Sequence, residues 1–122
     1  NDMILSFAKE VQQLRDRGVK DIILDPGFGF GKDLQQNYAV LNGLEELRAL
    51  ELPLLIGVSR KRMIYQLVGG DASTALNGTT AIHAASLMKG ANILRVHDVS
   101  EAVETVKIIS EMQQSSPSDE WA

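Results

Sequence analysis

Apolar residues along the chain alternate between long stretches with helical spacing and short continuous runs. In the long stretches they recur three and four positions apart, which is typical of a helix with one buried face. These stretches are residues 3–17, 33–52, 79–89 and 98–114. The short runs are residues 21–25, 54–58 and 93–96. Strands that alternate with helices predict βα units and a parallel sheet, with the run at 21–25 buried inside that sheet.

Residues at the helix ends support this division. Three helix starts have an acidic residue in capping position, and two of these have Gln or Glu three residues later. The predicted caps are Asp2, Asp33 with Gln36, and Asp98 with Glu101. Glycines predict helix ends at Gly18, at residues 69–70 after a short helix, and at Gly90. The core-facing positions of the last helix are predicted to be Ala102, Val103, Val106, Ile109 and Met112.

The spacing of the strands limits the architecture. Predicted strands start near residues 21, 54 and 92, which are 33 and 38 residues apart and suit consecutive βα units of a barrel or a doubly wound sheet. A (β/α)8 barrel takes roughly 200 residues or more, so three strands form either a small open sheet or a piece of something larger. The absence of an initiator Met favours the piece. Residues 115–122 are polar, and we expect a disordered tail there.

Composition excludes several classes of function. The 12 basic residues against 16 acidic ones give a net charge of −4, which argues against binding to nucleic acid or to an anionic membrane surface. The chain has no cysteine, so it has neither a disulfide framework nor a thiolate zinc site. No run approaches the roughly 20 apolar residues of a membrane-spanning helix, and no signal-peptide pattern opens the chain. A cytoplasmic location is expected.

Three polar clusters follow the predicted strands directly, at residues 25–32, 59–62 and 95–98. In parallel α/β folds these positions meet at one end of the sheet, where functional residues lie. The clusters hold five of the 12 basic residues, which are Lys32, Arg60, Lys61, Arg62 and Arg95. Three consecutive cations at the start of a helix also oppose its dipole. This concentration of positive charge in an acidic chain predicts an anionic ligand.

Two interpretations of the first cluster stay open. A carboxylate at the end of a buried strand loses hydration, so Asp25 either accepts N–H groups from a ligand or caps its own turn. The glycines that follow permit close approach of a ligand or simply tight turns. Phe28 and Phe30 are placed either to stack on a flat substrate or to pack on the rim of the sheet.

The second and third clusters contain side chains that donate hydrogen bonds. Lys61 is placed to donate to a carbonyl or ring nitrogen while its stem lines an apolar wall, although a lone lysine there is usually solvated. Arg95 and His97 are two residues apart on a strand and face the same side, so they are able to share a phosphate group. For His97 taken alone, a hydrogen-bonded structural residue is the favoured interpretation. His83, within a helix, is interpreted as a packing or surface residue.

Taken together, the clusters resemble the signature motifs of the dihydropteroate synthase family, folate-pathway enzymes that sulfonamides inhibit. The matching segments are residues 25–32 (DPGFGFGK), 59–61 (SRK) and 95–98 (RVHD). The resemblance covers residues 1–114 and implies the last three βα units of a (β/α)8 TIM barrel. It also implies a homodimer through the carboxyl-terminal helices.

The resemblance implies a role for each matching residue. Asp25 would accept N–H bonds from a pterin ring, and Lys61 would donate to that ring. Gly29 and Phe30 would also contact the pterin, and with the stem of Lys61 they would border a p-aminobenzoate site. Arg95 and His97 would hold the diphosphate that leaves when the two substrates condense.

Departures from the family pattern are also visible. Some relatives have Ser where this chain has Arg62, which would reach the p-aminobenzoate carboxylate or point to solvent. The Mg²⁺ ligand and further pterin contacts are expected in an amino-terminal half that this chain lacks, so the 122 residues alone are expected to be inactive. The alternatives are a pterin-binding methyltransferase barrel and a non-catalytic association module.

Overall fold

The computed structural model describes residues 2–29 and 31–117. Within these residues, the five α-helices are α1 (Asp2–Asp16), α2 (Leu34–Asn42), α3 (Arg62–Val68), α4 (Leu76–Met88) and α5 (Val99–Gln114). Two short strands are β1 (Leu55–Ile56) and β2 (Ile93–Leu94), and 3₁₀ helices cover Leu44–Leu50 and Ala72–Thr74. The order of helices and strands is that of an α/β protein, as the hydrophobic pattern predicts. None of the described helices is long and apolar enough to cross a membrane.

The three predicted strand segments lie parallel and side by side. Strand β1 pairs with β2, placing Leu55 opposite Ile93, and a single bridge joins Leu24 to Leu54. The predicted strand at 21–25 is therefore reduced to one bridged residue at an edge of the described sheet. The prediction that this run is buried holds for Leu24, which is 3% exposed, and fails for Ile23, which is 54% exposed, because the described sheet gives the run a neighbour on one side only.

The two faces of the sheet differ. Leu24, Leu54, Ile56 and Val58 are buried against the helices, in a core shared with residues such as Leu44. The alternate positions along the strands point to the opposite face, and Ile23 and Ile93 are exposed there. Within the described residues, helices therefore cover one face and leave apolar side chains on the other.

The predicted helix over 33–52 is two helices. The capping box of Asp33 and Gln36 is present as predicted, but α2 ends at Asn42 and Gly43 separates it from a 3₁₀ helix. Leucines at every third position suit a 3₁₀ helix, which has three residues per turn and keeps them on one face. Leu44 and Leu47 are accordingly buried.

Three details at helix ends also differ from the predictions. Asp2 is the first residue of α1, where a cap had been predicted, whereas the predicted stop at Gly18 has the left-handed φ of 87°. Helix α4 begins at Leu76, three residues before the predicted start at Thr79. Asp98 occupies the N-cap position of α5, but its carboxylate does not cap the helix.

The buried face of α5 differs from the predicted stripe. Ala102 and Ile109 are buried as predicted, but Thr105 takes the central position between them. Val103 and Val106 are exposed, since they lie on a flank of the helix that α4 does not cover. Threonine fits the core because its hydroxyl donates to Glu101 O at 2.8 Å, so this buried hydroxyl is paired.

Candidate active site

Asp25 lies at the end of the first strand segment with its carboxylate between two partners. Oδ1 accepts the Gly27 N–H at 3.0 Å, which is the turn-capping interaction considered above. Oδ2 lies 3.5 Å from Arg95 Nη1. The side chain is 42% exposed, so the expected loss of hydration was wrong. Asp25 stays accessible as an acceptor because the sheet face on which it lies is open.

The glycine loop after Asp25 is held by a buried amide. Gly29 has a φ of 101°, a conformation that side chains strongly disfavour. Its N–H donates to Oδ1 of Asn37 at 2.9 Å, and Asn37 is 3% exposed. Helix α2 therefore fixes the path of the loop. Phe28, which precedes Gly29, is buried in the core. Its burial agrees with the interpretation that it packs on the rim of the sheet.

Lys61 connects the second cluster to this loop. Its ammonium donates to Phe28 O at 2.8 Å. Burial lowers the pKa of Lys61, and the charge of Arg95 acts in the same direction while that of Asp25 opposes it. Lys61 is thus partly buried beside both residues, in contrast to the solvated lysine of the alternative interpretation. Lowering the pKa makes the ammonium a better proton donor.

Arg60 has a different role from its neighbour. Its guanidinium forms a forked pair with Asp98, with distances of 2.9 Å from Nε and 3.0 Å from Nη2. Nη1 donates to Ala72 O at 2.8 Å and to Ser73 O at 3.1 Å. One of the three consecutive cations is therefore neutralised within the chain, and it does not support the prediction of an anionic ligand.

The third cluster is tied to the second by main-chain contacts. The His97 N–H donates to Ser59 Oγ at 3.2 Å, and the Arg95 N–H donates to Ile56 O at 3.0 Å. The side chains of Arg95 and His97 are both exposed. This end of the sheet therefore presents a carboxylate, an ammonium and a guanidinium together.

A cavity of about 960 Å³ opens beside these residues. It lies between the glycine loop and the start of α3, and its lining includes Phe28, Gly29, Lys32, Lys61, Arg62 and Tyr65. Gly29, Lys61 and Arg62, predicted at a p-aminobenzoate site, thus share one cavity. Phe30, predicted there and at the pterin, lies outside the described residues. Asp25, Arg95 and His97 lie outside its lining.

Sequence reasoning missed two features that hold the site in place. Asn37 could have been found, because it is a polar residue at a core-facing position of α2, four residues before the buried Leu41. Asp98 was assigned to capping, and its pair with Arg60 has a sequence separation of 38 that gives no local signal.

Residues 1–97 match the family model described as pterin binding enzyme. The chain belongs to this family. It is 43% identical over 105 residues to the dihydropteroate synthase of Escherichia coli K12, and the match covers 84% of this chain and 37% of that protein.

Solved structures of family members have the same fold. The dihydropteroate synthase of Yersinia pestis superposes with a TM-score of 0.89 at 40% identity, covering 93% of this chain and 55% of that one. That of Thermus thermophilus, in complex with 6HMPPP, gives a TM-score of 0.85 at 37% identity, covering 92% and 45%. The chain spans between about a third and just over half of these relatives.

Proposed function

We propose that the chain supplies the carboxyl-terminal three βα units of a (β/α)8 barrel in a dihydropteroate synthase. Residues 1–114 would belong to the barrel and 115–122 to a polar tail, of which 118–122 lie outside the described residues. The exposed Ile23 and Ile93 support this placement. In a closed barrel their face is the interior, where side chains from the other strands pack on it.

The proposed reaction condenses 7,8-dihydropterin-6-ylmethyl diphosphate with p-aminobenzoate in folate biosynthesis. The bond between the methylene carbon and the diphosphate oxygen breaks, and its electron pair leaves with diphosphate. The amine of p-aminobenzoate forms the new carbon–nitrogen bond and loses a proton, which gives 7,8-dihydropteroate. This transfer needs no protein nucleophile, so the protein contributes positioning and stabilisation of the leaving charge.

The observation that carries the proposal is the meeting of Asp25, Lys61 and Arg95 at one end of the sheet. Asp25 would accept N–H bonds from the pterin ring, and the Lys61 ammonium would donate to it. Arg95, whose guanidinium lies 3.5 Å from Asp25, would hold the diphosphate together with His97. As negative charge develops on the leaving oxygen, these donors lower the barrier because they are already oriented.

The second substrate is assigned to the cavity beside Lys61. Gly29, Phe30 and the Lys61 stem would border the ring of p-aminobenzoate, and Arg62 would pair with its carboxylate. A Yersinia pestis dihydropteroate synthase structure contains a sulfonamide drug, and we extend sulfonamide binding to the same cavity. The proposal places the protein in the cytoplasm, as a homodimer that associates through its carboxyl-terminal helices.

We expect the ligand of Mg²⁺ in a segment outside this sequence. The described residues contain no group of three or more His, Cys, Asp or Glu side chains that could hold a metal ion. These residues do not fit a magnesium site of their own.

The test is an assay of dihydropteroate formation by the natural gene product and by the 122-residue chain. We expect activity from the first and none from the second, since three strands present only part of the site. Asp25→Asn and Arg95→Ala should each reduce kcat/KM by about 100-fold or more, and the exposed Gln35→Ala should not. A natural gene product without activity, or an active 122-residue chain, would contradict the proposal.

A further inference from the structure

Gly57 lies directly beneath the guanidinium of Arg95. It follows β1 and is buried. Ile56 pairs with Leu94, so the next pair in the same register is Gly57 with Arg95. A Cβ built on Gly57 would lie 2.7 Å from Arg95 Cζ and 3.0 Å from Nε, and closest of all to Nη2. These separations are too short for real contacts, so a side chain at position 57 and the observed Arg95 exclude each other.

Space, and not backbone conformation, requires glycine at this position. The φ of Gly57 is outside the left-handed region, whereas Gly27, Gly29 and Gly31 all have positive φ and open space around a built Cβ. An alanine at position 57 would therefore be able to adopt the backbone conformation that Gly57 has. The arginine side chain would move instead, because it is flexible and 61% exposed.

We propose that Gly57 is a positioning residue, whose missing side chain provides the cradle that holds the Arg95 guanidinium across the strand and beside Asp25. The proposal rests on the function proposed above, in which Arg95 holds the diphosphate. Without this space, the guanidinium would move away from Asp25 and from the ammonium of Lys61. An exposed ion pair stabilises the fold little. Replacing Gly57 should therefore impair the use of the pterin diphosphate and leave the stability of the fold unchanged.

The test compares Gly57→Ala with Gly43→Ala in the natural gene product. Gly43 has an ordinary φ of −95°, and the nearest atom to a built Cβ is 3.5 Å away, so this variant makes the same change without a clash. We expect Gly57→Ala to lower kcat/KM for the pterin diphosphate by about 10- to 100-fold, the scale of a 1 Å misplacement. The KM for p-aminobenzoate and the melting temperature should stay at wild-type values, and Gly43→Ala should match wild type throughout.

A double variant separates positioning from a general structural effect. If Gly57 acts through Arg95, adding Gly57→Ala to Arg95→Ala should cause no further loss, whereas independent effects multiply. A full additional loss, an equal rise in the KM for p-aminobenzoate, or wild-type kinetics in Gly57→Ala would each overturn the proposal.

Crystal structures of wild type and Gly57→Ala provide a readout that does not depend on activity. The guanidinium should lie over residue 57 in the wild type and be displaced from Asp25 in the variant. If the wild type forms no dihydropteroate but Arg95 is displaced in this way, the proposed reaction fails and the cradle stands. An Arg95 that keeps its place above alanine overturns the cradle whatever the activity.

Discussion

At the scale of single residues, Asn37 links the core to the glycine loop. Its side chain is buried on α2 and accepts the Gly29 N–H at 2.9 Å. Gly29 has a positive φ and lines the cavity, so the shape of that wall depends on an amide eight residues away. A buried side chain that pairs with a loop N–H fixes the loop, because a buried polar group keeps its hydrogen-bond partner.

We predict that Asn37→Ala destabilises the protein by about 1–2 kcal/mol, since it removes a hydrogen bond and leaves space in the core. It should also weaken p-aminobenzoate binding, because the loop at Gly29 loses its anchor. Urea unfolding and a substrate titration measure the two effects. Gln35→Ala, at an exposed position of the same helix, should change neither quantity, and equal behaviour of the two variants would refute the role of Asn37.

The pair of Arg60 and Asp98 joins the start of α3 to the start of α5. Hydrogen bonds from Arg60 hold the pKa of Asp98 below its ordinary value of 3.8. Arg60 has a φ of 55°, which is uncommon for a residue with a side chain, and its N–H donates to Thr79 Oγ1 at 2.9 Å. The pair therefore maintains a backbone conformation that places the adjacent Lys61.

We predict that Asp98→Asn lowers the melting temperature at pH 7, where the carboxylate is charged and paired. A depressed pKa contributes stability that is fully present above the unfolded value near 3.8 and is lost as the pH falls through the folded value. The gap between wild type and variant should therefore narrow as the pH falls below about 4. Thermal scans from pH 7 to pH 3 measure it, with the exposed Glu104→Gln as control; a gap that stays constant from pH 5 to pH 3 would contradict the prediction.

At the scale of elements, α4 and α5 pack with a histidine inside. His83 is 2% exposed, which selects the packing interpretation over the surface one. Among the described residues, its Nε2 and the hydroxyl of Ser86 have no hydrogen-bond partner. Burial lowers the pKa of His83, while Asp98 opposes this shift. Burial between the helices therefore favours the neutral imidazole over the charged form.

This geometry predicts a pH-dependent stability near neutrality. Below the ordinary pKa of 6.5 the unfolded chain takes up a proton that folded His83 resists, so stability is full above that value and falls as the pH decreases. The slope contributed by one such group is at most about 1.4 kcal/mol per pH unit. Urea unfolding between pH 7.5 and pH 5 should show this slope in wild type and lose it in His83→Gln. His97→Gln, which changes an exposed histidine, should keep it; loss of the slope in both variants would contradict the assignment.

At the scale of the whole molecule, apolar surface remains on the last helix. Val99, Val103 and Val106 lie along one flank of α5 and are exposed, although its central positions pack on α4. Contiguous apolar surface of this kind is typical of an interface. It supports the proposed homodimer through the carboxyl-terminal helices.

We predict that Val103→Lys weakens dimerisation of the natural gene product by about tenfold or more, because it places a charge in an apolar interface. The variant should fold normally, since lysine is a better helix former than valine. Sedimentation equilibrium measures the effect, with Leu5→Lys on the exposed side of α1 as the matched control. A monomeric wild type, or equal dissociation in both variants, would refute the interface.

Local sequence was sufficient for several elements of the fold. The Asp33 and Gln36 box, the stop at Gly18 and the order of helices and strands were all predicted, because capping, left-handed turns and hydrophobic spacing act over a few residues. The predictions failed where the end of a helix or the burial of a residue depends on the segments that pack against it. The split at Gly43 and the burial of Thr105 depend on what packs against the helix, and the hydrophobic spacing alone does not identify that partner.

For the site, the sequence by itself determined which residues end the strands and which chemical groups they bring: Asp25, Lys61, Arg95 and the glycine loop. Chain order and strand direction are sufficient for this, since parallel strands carry these ends to one edge. Only the tertiary structure decided which cations are available. It paired Arg60 with Asp98 across 38 residues, left Asp25 half exposed and set Arg95 over Gly57, because contacts between distant segments depend on register and packing that no local pattern encodes.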